Sequence, residues 1–135
     1  MTARIALLLL PLAAIAACSG VPMREGEQKE LDRYQPYAGQ PIREFSTLQR
    51  VSGWNSVARD KLVVWTGINE AYLLTVATPC TNLEFANHIA FSTHTSTIST
   101  FDSVLLGRNE RCPITEIRPI DYKRMKEDLR QKEAK

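Results

Sequence analysis

Glycine is scarce in this sequence, six in 135 residues, and the six are scattered. A glycine-rich phosphate loop is therefore excluded, and so is the Gly-x-Ser-x-Gly elbow of a serine hydrolase. Cysteine is scarcer still, with three residues and no CxxC redox pair. Histidine occurs twice, at His88 and His94. On one strand, residues six apart lie about 20 Å from each other, so the two cannot share a metal unless the chain bends between them. No cofactor or metal site is expected, since two cysteines and two distant histidines do not make a ligand cluster. An excess of charge is also missing: 17 basic and 15 acidic residues leave a net charge of +2. A near-neutral protein is a poor partner for nucleic acid. No apolar run reaches the roughly 20 residues that a transmembrane helix needs, so an integral membrane protein is not expected. What remains, 44% hydrophobic and 24% charged, is the composition of one small globular domain.

The first informative feature is at the start. Arg4 and the amino terminus make a short positive region, and Ile5 to Ala17 follow without a charge, broken only by Pro11. That is the layout of a secretory signal. The run ends Ile15-Ala16-Ala17-Cys18, and small residues before a cysteine resemble the bacterial lipobox. Residues 1–17 are therefore expected to be a lipoprotein signal peptide, with Cys18 the lipidated residue, carrying diacylglycerol and an N-acyl chain such as palmitate. Lipidation of Cys18 also resolves the odd cysteine count. It leaves Cys80 and Cys112, which are expected to form a disulfide in an oxidising compartment. Closing a loop of that length stabilises by about 3–4 kcal/mol in the chain-entropy model. Several acyl chains anchor a protein stably to a membrane. Ser19 in place of Asp after the cysteine points to the outer membrane, facing the periplasm.

Residues 18–41 read as a lipidated cysteine and a flexible tether. Residues 19–41 hold four acidic and three basic residues and three prolines, too polar to bury much area. As a coil they would span roughly 25–30 Å, with only a transient helix over Glu25 to Tyr34. The core is expected over residues 42–121. Lys61 to Thr66 reads as a strand buried on both faces, and Ala71 to Val76 as its hairpin partner. Thr81 and Glu84 have the spacing of a capping box before a short helix. His88 to Thr93 and Ser103 to Leu106 read as strands. Ser92 to Thr100, with seven Ser or Thr residues, reads as a solvent-facing hairpin or edge. Phe45 to Trp54 is taken as one strand that bends near Ser52-Gly53. Cys112 to Ile120 alternates, which places Ile114, Glu116, Arg118 and Ile120 on one face and Thr115 and Ile117 on the other. The expected fold is mainly β, a small antiparallel β-barrel or roll with one short helix and a C-terminal helical tail. That tail, residues 122–135, has six basic and three acidic residues. It reads as a fraying, solvated helix capped by Asp121, with contact to anionic lipid as the functional alternative.

Several pieces of the core carry a resemblance. They are Trp54, Asp60 with Leu62-Val63-Val64-Trp65, Ala71-Tyr72-Leu73-Leu74, Pro79-Cys80 with Leu83, Phe101-Asp102, Cys112-Pro113-Ile114, and Ile117-Arg118-Pro119 with Asp121. In order and spacing they resemble a family of small uncharacterised bacterial lipoproteins, mostly from proteobacteria such as the xanthomonads. The likeness covers residues 45–121. It implies a periplasmic lipoprotein with a cysteine pair, and it carries no reaction, so no catalytic residue is transferred.

The remaining candidates are few. Asp60 and Asp102 read as turn or backbone hydrogen-bond acceptors. Trp54, Trp65, Tyr72, Phe91 and Phe101 are candidates for an apolar pocket, although aromatics at strand spacing are more often core. Arg59, Arg108, Arg111 and Arg118 are candidates for a basic patch. The expected function is a lipid-anchored, non-enzymatic binding or interaction module of the cell envelope, with the membrane and an envelope protein as partners. A small-ligand carrier or sensor is the alternative, and an envelope hydrolase with an unfamiliar site is the third reading.

Overall fold

A computed structural model describes residues 23–48, 50–107 and 109–135. The signal-like run, the lipobox with Cys18, and Arg108 lie outside the described residues. Among the described residues, eight strands form two sheets. Strands β1 (Glu44–Ser46) and β6 (Thr97–Ser99) make an antiparallel pair. The other six are β2 (Gly53–Ala58), β3 (Lys61–Trp65), β4 (Glu70–Val76), β5 (Ile89–Phe91), β7 (Ser103–Leu106) and β8 (Glu110–Asp121). They form a curled antiparallel half-barrel in the order β2-β3-β4-β8-β7-β5. The mainly β architecture is the one the sequence pattern predicts. Among the described residues no helix is long and apolar enough to cross a membrane.

The half-barrel has a core on each face. Strand β3 shows why: Leu62, Val63 and Val64 are all fully buried, and consecutive strand residues point to opposite sides. Leu62 and Val64 join Leu74, Val76, Ile117, Phe45 and Ile98 on the face that β1 and β6 cover. Val63 joins Val57, Leu73 and Ile120 on the other. That second face is covered by helices α1 (Glu25–Tyr34) and α2 (Tyr122–Glu133), through Leu31, Tyr34 and Met125.

This second layer corrects the tether expected over residues 18–41. From Arg24 onward the chain is folded onto the sheet. Leu31 and Tyr34, three apart on one helical stripe, are 5% and 6% exposed. Backbone bridges then tie Ala38 to Ile120 and Ile42 to Ile117. The physical reason lies in β3: a strand buried on both faces requires a second covering layer, and the polar stretch contributes one half of it. The fraying tail is corrected in the same way. Met125 is buried, Tyr37 Oη donates to Asp128 Oδ2 at 2.8 Å, and Arg124 lies 5.9 Å above the Tyr37 ring. Asp121 caps α2 by accepting from the Arg124 amide.

Three local expectations also change. Phe45 to Trp54 is two strands, separated by a turn in which Arg50 adopts φ 67° and its amide donates to Thr47 O. Thr81 and Glu84 do not form a capping box. Glu110 accepts from the Thr81 amide, the Thr81 hydroxyl and Asn82 Nδ2 at 2.9, 3.2 and 2.6 Å, and a single 3₁₀ turn, Leu83–Phe85, follows. In β8 the alternation is broken by a bulge, since Thr75 pairs with Glu116 while Val76 pairs with Ile114. The extra residue reverses the facing of everything beyond it. Ile114 and Ile117 therefore share the first core and Ile120 faces the helices.

Two stability measurements check this account. Leu31→Ala should destabilise the fold by about 2–4 kcal/mol in urea unfolding, whereas a residue on a free tether would change it by less than about 0.5 kcal/mol. Replacing both Cys80 and Cys112, which are 32 residues apart, should cost about 3–4 kcal/mol.

Candidate functional site

One end of the half-barrel carries a cleft of about 600 Å³. Three elements frame it. The first is the start of α1, with Met23, Arg24 and Glu27. The second is the tight β2–β3 turn, with Arg59 and Asp60. The third is the segment from Thr78 to Phe85, which contains a cis Thr78–Pro79 peptide. The Cys80–Cys112 disulfide fastens this third segment to β8, with the two Cα atoms 5.8 Å apart. Leu83 is fully buried in the first core, while Phe85 is 73% exposed. The turn is thus anchored by one side chain and displays the other. A second hollow of about 640 Å³ adjoins the cleft and shares Arg24, Glu27, Ala58 and Glu84 with it.

Arg24, Glu27 and Glu84, with Arg59 of the cleft, form a charged cluster. Arg59 Nε donates to Glu27 Oε1 at 3.1 Å, and Arg24 Nη1 donates to Glu84 Oε2 at 3.4 Å. The Arg24 amide also donates to Glu27 Oε2 at 2.9 Å. Beside the cluster, Lys61 Nζ donates to Asp60 Oδ2 at 2.8 Å. Glu27 and Glu84 neighbour one another in the cluster, and each shifts the other's ionisation. The hydrogen bond to Glu27, reinforced by burial, raises Glu84 above the ordinary glutamate value of 4.5. Burial pushes Glu27 upward too. The hydrogen bonds from Glu84, the Arg24 amide and Arg59, with the charge of Arg59, outweigh it and leave Glu27 lowered. Chemically, the cleft offers guanidinium donors, paired carboxyls and an apolar rim.

The residues singled out from sequence do not assemble into one site. His88 and His94 are both exposed, on either side of β5. Asp102 accepts from the Ser99 amide and hydroxyl at 2.8 and 2.9 Å, holding the β6–β7 turn. Arg59 and Arg118 are each engaged with a carboxylate, Glu27 and Glu116, and Arg111 is exposed. The aromatic side chains divide between the two cores instead of lining one pocket. Tyr72 stacks on Phe45 at 4.0 Å, Trp65 meets Tyr34 and Tyr122 at 6.4 and 6.0 Å, and Phe101 is 95% exposed. Among the described residues, Cys80, Glu110 and Cys112 are the group whose atoms lie close enough for a metal. Sulfurs joined in a disulfide have no thiolate to offer one. The cluster of Arg24, Glu27, Arg59 and Glu84 was not found from sequence. Its members come from three segments, and Glu84 has the spacing of a local cap.

A family model described as "Family of unknown function (DUF6491)" matches residues 1–135. The chain belongs to that family. No curated protein and no solved structure matches it. For this DUF6491 member the cleft is therefore interpreted from its own chemistry. Because Glu84 is raised in the folded state, its contribution to stability is full below the unfolded value and is lost as pH climbs through the folded one. Glu27 is lowered, so its contribution is present above the unfolded value and is lost as pH falls through the folded one. Glu84→Gln imitates the protonated form. Its melting temperature should gain on that of the wild type as pH rises from about 4 to about 7. Parallel pH profiles for the two proteins would count against a raised Glu84.

Proposed function

We propose that this protein is a lipid-anchored component of the cell envelope that acts as a non-enzymatic binding module, with the charged cleft as its binding site. The observation that carries this reading is the convergence of three chain segments, one of them fastened by a disulfide, on a cleft that joins paired charges to an exposed aromatic rim. The signal-like run and the lipobox at Cys18 support a bacterial lipoprotein, and Ser19 supports the outer membrane, periplasmic face. Binding is favoured over catalysis because the four charged groups are engaged with one another. A carboxylate held by a guanidinium is a weaker base than a free one.

A second reading rests on one feature. Two carboxyls with opposed shifts are also how acid and base roles are divided in hydrolases. In that case activity would follow a bell-shaped pH profile, and Glu27→Gln would reduce it by about 100-fold or more.

The test begins with the intact mass of protein extracted from membranes, with and without reductant. The expected species starts at Cys18, carries acyl groups, and gains the mass of two hydrogens on reduction. An unmodified chain would overturn the anchor. Chemical cross-linking in the native envelope should then give a reproducible adduct, to protein or to lipid, that Arg59→Glu abolishes. Identical adducts from both proteins would place the binding elsewhere.

A further inference from the structure

The domain has two distinct ends, and the chain enters at one of them. Met23 and Arg24 lie at the cleft, with Arg59 and Asp60 of the β2–β3 turn. Strand β3 runs from that turn to Trp65, and the β3–β4 turn beyond it carries Ile68, 85% exposed. Five strand residues separate the ends by roughly 16 Å. Helix α2 begins at the far end: Tyr122 packs against Trp65, and Lys126 Nζ donates to Ile68 O at 3.0 Å.

We infer that the cleft end is a bilayer-contact surface, seated on zwitterionic phospholipid headgroups with Phe85 and Met23 at the acyl boundary. The inference rests on the lipidation of Cys18 proposed above and names the partner of the same cleft. Covalent reach is the first argument. Met23 is five residues after Cys18, and five residues extend at most about 18 Å. With α1 folded onto the sheet from Glu25, no longer leash is available, so an acylated Cys18 keeps the cleft end at the lipid surface. The second argument is what that end displays. Phe85 is 73% and Met23 40% exposed, and both rim the cleft. The 3₁₀ turn that holds Phe85 outward is fixed by buried Leu83 and by the disulfide. A rigidly presented apolar side chain loses little freedom on insertion. The third argument is charge. Arg24 and Arg59 are balanced by Glu84 and Glu27, and Lys61 by Asp60. Such a surface gains little from an anionic membrane and matches a headgroup that carries both signs. The basic helix α2, which a charge argument alone would place on the membrane, sits at the other end.

The test uses the full-length acylated protein in phosphatidylethanolamine and phosphatidylglycerol vesicles, with p-benzoylphenylalanine at position 85 or, for comparison, at position 68. Both sites are exposed, so both variants should fold. Phospholipid adducts from position 85 should exceed those from position 68 on the order of tenfold. Their yield should be unchanged between low and high salt, because screening acts on charge and not on insertion. Equal yields at the two sites, or adducts to protein alone from position 85, would overturn the contact surface while the anchor stands. A yield that collapses with salt would overturn the match to a neutral headgroup. The intact mass of the same sample separates these outcomes from failure of the anchor, since an unacylated chain overturns both readings.

Discussion

Strand β8 is paired along both edges, and the rest of the molecule is arranged around it. One edge holds β4 from Glu70 to Val76. The other holds β7 along its first part, and the single bridges to Ala38 and Ile42 further on. A strand so enclosed has both faces to fill, and the bulge at Thr115 decides how. The Thr115 hydroxyl donates to Thr75 O, and the two-residue period restarts after it. Cys112, Ile114 and Ile117 consequently serve the core under β1 and β6, while Ile120 serves the core under the helices. A regular strand would turn Ile117 away from Leu62 and Leu74, opening a void where packing is dense.

The disulfide extends that order to the cleft. Cys112 is 1% exposed on β8, and its bond to Cys80 brings the segment after β4 against the end of the sheet. Glu110, two residues earlier, then meets Thr81 and Asn82, and these hydrogen bonds hold Glu110 below the ordinary carboxylate range. Leu83 enters the core, and Glu84 and Phe85 are left at the mouth. The cleft depends on the same strand pairing that builds the cores. Its chemistry also depends on α1, which supplies Arg24 and Glu27. A loose amino-terminal segment would leave Glu84 and Arg59 unpaired at the surface.

Paired charges suit a surface that must be wet on one side and touch something apolar on the other. Each guanidinium keeps outward donors, Arg24 most of all with a side chain 64% exposed. None of these groups presents an uncompensated charge to a neighbour. The apolar contribution comes from a few side chains held at the rim and not from a broad patch. Under the lipid anchor proposed above, that combination would favour reversible contact, because the anchor would meet the entropic cost of association covalently.

Local chemistry made part of this legible. The period-two and doubly buried runs marked β3, β4, β7 and most of β8. The parity of three cysteines pointed to Cys80 and Cys112, and Asp121 read correctly as a helix cap. Asp102 sits as a backbone acceptor for the same local reason. The cysteine pair follows from counting, and the others depend on neighbours in sequence, so the sequence determines them. The remainder was decided by residues far apart. Leu31 and Tyr34 are too few to form a stable helix alone, and they are held only because Val63 and Leu73 need cover. The bulge at Thr115 follows from fitting one long strand to two partners. Glu84 reads as a cap from sequence because nothing local reveals Arg24, sixty residues away. Position within the sheet, not residue type, turned a polar stretch into a structural layer and four ordinary charges into a site.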